Sequence, residues 1–362
     1  MTAAIAGVGQ TRFARRGRVT EAALAAQAIA RALADARLRP ADVDGVVRFD
    51  REAMWEFDLP GVLGMPNLDW YAAVPYGPGS APALVRLAAM AVEQGLARTV
   101  VAYHARHGAE RAAAAVPALL PGVEQMQMPF GLVTPAQAAA LVLRRRGIDA
   151  GVVAAATRAA HAAAAKNPRA IVRRALDART YAASPFVAEP LRRADCAEPA
   201  VGGCAFVVTR LEAAGGRHAP VRVLATMQAA VPSATRFAGE WVRADAPAAI
   251  ARAAKAMYRA AGLRAAAVDV ACLHDDPAGL VALGLVAYGL CRRPADARGL
   301  ARPRVNPHGG QLGEAALDGI NDVVEAVRQL RGDAARPVRG ARVALVAGSL
   351  LEPTSAALLG RR

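Results

Sequence analysis

Two stretches of the chain carry the same succession of patterns. Residues 28–44 read AIARALADARLRPADVD, and residues 249–269 read AIARAAKAMYRAAGLRAAAVD. Each opens with apolar positions at helical spacing, breaks after a Leu-Arg pair, and runs through Val-Asp into a β-prone segment. Those segments are Gly45-Val46-Val47-Arg48-Phe49 and Val270-Ala271-Cys272-Leu273-His274. A second pair follows the first. A helical pattern over 83–95 closes at Gly95 and leads into Thr99-Val100-Val101-Ala102-Tyr103-His104; another over 317–331 closes at Gly332 and leads into Arg342-Val343-Ala344-Leu345-Val346-Ala347. Glycine at a helix end supplies a left-handed C-cap, and Val-rich runs behind such caps read as buried strands.

The repeat predicts two related α/β halves. The first covers 1–120 and is completed by a strand at Gly203-Cys204-Ala205-Phe206-Val207-Val208-Thr209 within 196–215; the second covers 216–362. An insertion over 121–195, with helical patterns at 134–145 and 151–165, is expected to lie over the mouth of the site.

Composition narrows the picture. A chain of 362 residues, 54% hydrophobic and 21% charged, can bury one large core or two packed halves. No apolar run reaches the ~18 residues of a membrane span. The apolar opening from Met1 to Gly9 lacks a basic leader, so it reads as a first strand and the cytoplasm is the expected location. Cys196, Cys204, Cys272 and Cys291 form no C-x-x-C pair, and buried thiols fit better than a zinc site or a disulfide framework. The net charge of +15 suggests nucleic acid at first sight. Yet Lys166 and Lys255 are the only lysines among 45 basic residues, aromatics make up 4%, and no basic block is interleaved with them. The charge is equally compatible with an anionic ligand such as a CoA thioester.

The ordered segments resemble the thiolase superfamily over nearly the whole chain. IAGVGQTRFARR, followed by the helix and ADVDGVV, resembles the start of thiolase-like lipid-transfer proteins. The block from Lys166 to Thr209, with Asn167-Pro168, Tyr181, Pro190-Leu191-Arg192 and Asp195-Cys196, resembles their central region. The segment VNPHGGQLGEAALDGINDVVEAVRQLRG resembles their C-terminal active-site block. The subgroup it is most similar to is the lipid-transfer-type thiolases that include the steroid side-chain retro-aldolases. The resemblance implies a five-layer αβαβα fold built from duplicated βαβαβαββ halves. It also implies a homodimer pairing the first halves edge to edge, a CoA thioester as substrate with no bound cofactor, and a separate OB-fold/zinc-ribbon partner.

The chemistry of that family is then expected where several of its residues are missing. A thiolase nucleophile would fall near Pro78, at the start of the helix beginning near Pro82, and no cysteine precedes Cys196. The thiolase Gly-His-Pro reads Ala315-Ala316-Leu317, and the final strand runs into Gly348-Ser349-Leu350 where a second cysteine would stand. The tyrosines that the retro-aldolases are implied to use are replaced by His274 and Ala316, and a His often found two residues beyond the latter is Asp318. What remains is His274, Asp275, Asp276 and His308 as candidate acid–base groups, with Asp275 or Asp276 orienting His274. Tyr76, Ser80, Met128, Asn306, Gly309, Gly310 and Glu314 are candidate substrate contacts, the loop amides near Gly309 and Gly310 polarising a carbonyl. Ser80 also reads as a helix cap. Met126 and Trp241 are further apolar candidates, and His104 and His107 are placed near a dimer interface. Three functions compete: an enzyme of Claisen or retro-aldol type with altered catalysts, an inactive subunit that binds acyl-CoA or scaffolds a partner, and a lipid carrier.

Overall fold

The structure is a computed structural model describing residues 2–66, 68–75, 77, 79–107, 135–230, 246–299, 304–350 and 354–361. The first half runs β1 (Ala3–Gln10), α1 (Glu21–Ala36), β2 (Gly45–Phe49), α2 (Leu59–Leu63), β3 (Trp70–Val74), α3 (Ala81–Glu93) and β4 (Thr99–His107). Then come α4 (Pro135–Arg145), α5 (Ala150–Ala164), α6 (Ala178–Ala183) and the small hairpin β5 (Phe186–Ala188) and β6 (Leu191–Arg192). The chain returns through β7 (Val201–Arg210). The second half runs β8 (Val221–Ala229), α7 (Ala246–Ala260), β9 (Val270–Leu273), α8 (Leu280–Ala287), β10 (Arg304–Val305), α9 (Gly310–Gly313), α10 (Ile320–Arg331), β11 (Val343–Ala347) and β12 (Thr354–Arg361).

The strands follow the order β3-β2-β4-β7-β1 and then β8-β12-β11-β9-β10. The two groups meet only where Ala4 and Ile5 pair with Arg222 and Val221. Within each group the βα-connected strands are parallel, and β7 and β12 close their halves antiparallel. Setting aside the insertion and α9, both halves read βαβαβαββ, as the repeat predicts. The Val-Asp that ends each repeat has the same task twice. Asp44 accepts the N–H groups of Arg98 and Thr99, and Asp269 those of Arg342 and Val343, so each carboxylate ties the start of one parallel strand to its neighbour.

Five layers result. The apolar positions of α3 and α10 form one core with the inner faces of both groups of strands, through residues such as Leu84, Val92, Val323 and Val327. Burying both sides of these helices explains why α3 reads apolar over most of its length. Helix α1 covers the outer face of the first half, where Gly7 and Gly9 leave no side chain to collide with its backbone. Helices α5, α7 and α8 cover the outer face of the second. Asp195 anchors the insertion, accepting from Thr157, from Tyr181 Oη at 3.1 Å and from the Arg192 N–H at 2.6 Å. No helix among the described residues is long and apolar enough to cross a membrane.

Candidate active site

The central helices begin side by side. A Cβ on Gly319, which precedes α10, would lie 3.3 Å from the Ala81 side chain at the start of α3. The loop after β11 closes on the same place: a Cβ on Gly348 would come within 2.6 Å of the Gly79 backbone, and Gly79 also accepts the Ser355 hydroxyl at 2.6 Å. Both helix N-termini therefore point at one spot, where their dipoles favour a developing negative charge.

His274 ends β9 beside this spot. Its N–H continues the ladder to Ala347 at 2.9 Å, and Val270 and Cys272 of the strand join the inner core, so alternation turns His274 the same way. The residue is 6% exposed, and its Nδ1 has no hydrogen-bond partner among the described residues. Neither expected orienting carboxylate bonds it. Asp275 instead accepts the Gln311 N–H at 2.6 Å and the Leu312 N–H at 3.4 Å, and Asp276 accepts the Ala197 N–H at 2.9 Å. The physical reason is the pleat: the residue after a strand-end His leaves on the opposite face. Asp275 is buried, and desolvation together with the charge of Asp322 pushes its carboxyl up to about 7.

The NPHGG loop is held by its own side chains. Asn306 pairs with the Leu273 backbone in both directions, Oδ1 accepting its N–H at 2.8 Å and Nδ2 donating to its carbonyl at 2.9 Å. The Gly309 N–H donates to the Asn306 carbonyl at 3.0 Å. These groups fasten the loop instead of facing a ligand. Gly310 sits at φ 66°, and a Cβ there would lie 2.0 Å from Asp275 Oδ2, so only glycine lets the carboxylate cap α9. His308 is wholly enclosed, with Nε2 2.9 Å from Asp322 and 3.9 Å from Glu314. Burial lowers its proton affinity, but Glu314, Asp322 and Glu325 outweigh it and push the imidazole up to about 10. Glu314 is itself held by Asn167 at 3.0 Å and Asn321 at 3.1 Å. His308 and Glu314 thus belong to a polar core under the site. Ser80 stands at the N-cap of α3, half-buried, without a capping side-chain bond. Tyr76, Met126, Met128 and Trp241 lie outside the described residues.

His104 sits in the interior of the chain. It is 4% exposed, its Nδ1 bonds Glu52, and its Nε2 lies 3.1 Å from Asp318. Arg106 reaches the same Asp318 oxygen at 3.2 Å. Burial again lowers the proton affinity of the imidazole, yet Glu52 and Asp318 push it up to about 10. The first half thereby delivers an imidazolium to the loop where a His is implied and Asp318 stands. His107 donates to or accepts from neither carboxylate of this group; its Nε2 meets the Gly17 carbonyl at 2.9 Å.

Comparison with known proteins agrees with this geometry. Residues 242–361 match the family described as thiolase C-terminal domain-like. The chain is 34% identical to a 17-hydroxy-3-oxo-4-pregnene-20-carboxyl-CoA lyase of Mycobacterium tuberculosis, over 99% of both sequences. It is 32% identical to a steroid side-chain-cleaving aldolase of Thermomonospora curvata, over 99% of this chain and 97% of that one. The chain belongs to the thiolase-like steroid side-chain aldolases. Among solved structures this aldolase-family fold is similar to an Ltp2-ChsH2(DUF35) aldolase, with TM-score 0.88 and 32% identity over 99% of this chain and 98% of that one. Two more distant likenesses concern the fold alone. One is an SCP2-thiolase-like protein of Mycobacterium smegmatis, with TM-score 0.72 and 19% identity over 100% of this chain and 78% of that one. The other is an acetyl-CoA acetyltransferase of Syntrophomonas wolfei, with TM-score 0.75 and 15% identity over 99% of both. The expected family and five-layer architecture therefore stand. Sequence reasoning missed His104 because its two carboxylate partners lie 52 and 214 residues away.

Proposed function

We propose that this protein breaks a carbon–carbon bond by a retro-aldol reaction on a CoA thioester that carries a hydroxyl at the β-carbon, the substrate being a steroid side chain. The names of the two full-length relatives support the reaction class, and one observation carries it to this chain: the enclosed His274, whose Nδ1 has no partner among the described residues, beside the joint N-termini of α3 and α10. Buried polar atoms are nearly always hydrogen-bonded, so an orphan at such a place is suited to a group that arrives with the substrate. Cleavage turns the thioester into an enolate. His274 donates a hydrogen bond to the enolate oxygen, and the two helix dipoles stabilise the same charge. A separate partner of the kind in the Ltp2-ChsH2(DUF35) aldolase helps to hold the acyl-CoA, and the first halves pair as a homodimer across the edge strand β3, where Tyr71 is 63% exposed.

A second reading has one observation in its favour: Asn306, Gly309, His308 and Glu314 are all committed within the protein, as in a subunit that binds acyl-CoA without transforming it. His274→Gln separates the two. The retro-aldol reading expects full-length protein with its co-purified partner to lose about 10²–10³ in kcat at nearly unchanged KM, the size of one lost oxyanion donor. Equal turnover in the variant makes this chain a supporting subunit.

A further inference from the structure

The retro-aldol roles above leave the enclosed Glu52–His104–Asp318–Arg106 chain unused. Its members come from three places: Glu52 after β2, His104 and Arg106 on β4, and Asp318 in the turn before α10. Glu52, His104 and Asp318 are all buried. Enclosing charge in this way is a poor source of stability, because desolvation offsets much of the attraction. Strongly coupled titratable groups of this kind cluster at functional sites. Asp318 also holds a left-handed backbone, φ 52°, a conformation that costs a non-glycine residue about 1–2 kcal/mol. The strained turn is fixed from behind by Gln311 Oε1, which accepts the N–H groups of Leu317 at 2.9 Å and Gly319 at 3.3 Å. Its next residue, Gly319, abuts Ala81 at the N-terminus of α3. The turn therefore presents a clamped carboxylate at the point where both central helices begin.

We propose that Asp318 is the catalytic residue that accepts the hydroxyl proton as the carbon–carbon bond breaks, and that His104 is the positioning residue that aims it. The inference rests on the retro-aldol reading and fills the role that His274 does not. The β-hydroxyl proton passes to the Asp318 carboxylate. The oxygen's electron pair forms the new C=O bond, and the Cα–Cβ bond breaks with its pair entering the thioester enolate. The enolate carbon takes a proton from water, and the hydroxide left behind takes the proton from Asp318. No oxidant or further reactant is needed, and the carboxylate is restored. His104, bonded to Glu52 on its other nitrogen, cannot rotate, so it fixes the direction of the Asp318 oxygen it bonds.

Among the described residues the charges bonded to Asp318 are His104 and Arg106 from β4, with Glu52 behind His104; Asp322 stands in the first turn of α10, with His308 behind it. A cation beside a carboxylate lowers its pKa, so removing His104 raises that of Asp318. The test uses the full chain with its co-purified partner and 17-hydroxy-3-oxo-4-pregnene-20-carboxyl-CoA, comparing wild type, Asp318→Asn and His104→Gln. Asp318→Asn is expected to lower kcat by about 10²–10⁴ with KM within about threefold, as for loss of a general base. His104→Gln is expected to lower kcat less and to move the acid limb of the kcat/KM profile to higher pH by about one unit. Cleavage by wild type that persists in folded Asp318→Asn, or an acid limb that stays in place in His104→Gln, overturns the assignment alone. Failure of wild type to cleave overturns the retro-aldol reading and the assignment with it.

Discussion

Gly310→Ala probes the link between the NPHGG loop and the carboxylate beneath it. The new Cβ would fall 2.0 Å from Asp275 Oδ2 and 2.5 Å from its Cγ, and φ 66° would put alanine in the left-handed region. The backbone alone costs about 1–2 kcal/mol. Asp275 must then move away from the N–H groups of Gln311 and Leu312, which lie at 2.6 Å and 3.4 Å, and a buried group stripped of its partner costs about 1–3 kcal/mol more. The expected loss is about 2–5 kcal/mol. Urea unfolding followed by circular dichroism measures it, with Asp275→Ala and the double variant completing a cycle. Because Asp275→Ala removes the colliding oxygens, the two substitutions are expected to be less than additive by about 1–3 kcal/mol. A Gly310→Ala protein as stable as wild type, or a strictly additive cycle, would refute the reasoning that Asp275 and Gly310 depend on each other.

Other outcomes follow from the same geometry. Asp322→Asn removes the charge from the enclosed His308's partner at 2.9 Å and is expected to cost about 3–5 kcal/mol near neutral pH. Because the His308 pKa is raised to about 10, its contribution is complete below about pH 6.5 and disappears as pH climbs toward that value. Unfolding midpoints taken near neutrality and near pH 9.5 should therefore fall less steeply in Asp322→Asn than in wild type, the remaining slope belonging to His104 and to the buried thiols, whose pKa values are raised by desolvation; identical slopes would show that Asp322 does not hold the His308 proton. Tyr71→Asp on the exposed edge strand is expected to convert the proposed homodimer to monomer in light scattering, and an unchanged mass would remove β3 from the interface.

Much of the architecture was legible because it is written twice. The Val43-Asp44 and Val268-Asp269 repeats marked the starts of β2 and β9, and they correspond to two carboxylates that fasten parallel neighbours in the same way. Gly95 and Gly332, both left-handed, marked the ends of the central helices. The strands β3, β8 and β12 were not read: WYAAV is short and half exposed, and TSAALLGR is buried so fully that no alternation separates it from a helix. The site was harder. His274 was singled out, and its ring is enclosed, with Nδ1 unpaired among the described residues. Its expected companions were wrong for a local reason, since Asp275 and Asp276 turn to the backbone of α9 and of Ala197. Asn306 drew notice as a polar loop residue and serves as a backbone mimic for Leu273. The His104–Asp318 pair joins the two halves, and no spacing rule relates residues so far apart.

Product analysis with the wild-type chain tests the central claim most directly. Purified with the proposed partner and given 17-hydroxy-3-oxo-4-pregnene-20-carboxyl-CoA, the protein should release a steroid ketone and a shortened acyl-CoA in equal amounts, resolved by mass spectrometry. Intact substrate bound in stoichiometric quantity, with neither product formed, would contradict the account and leave an acyl-CoA-binding subunit in its place.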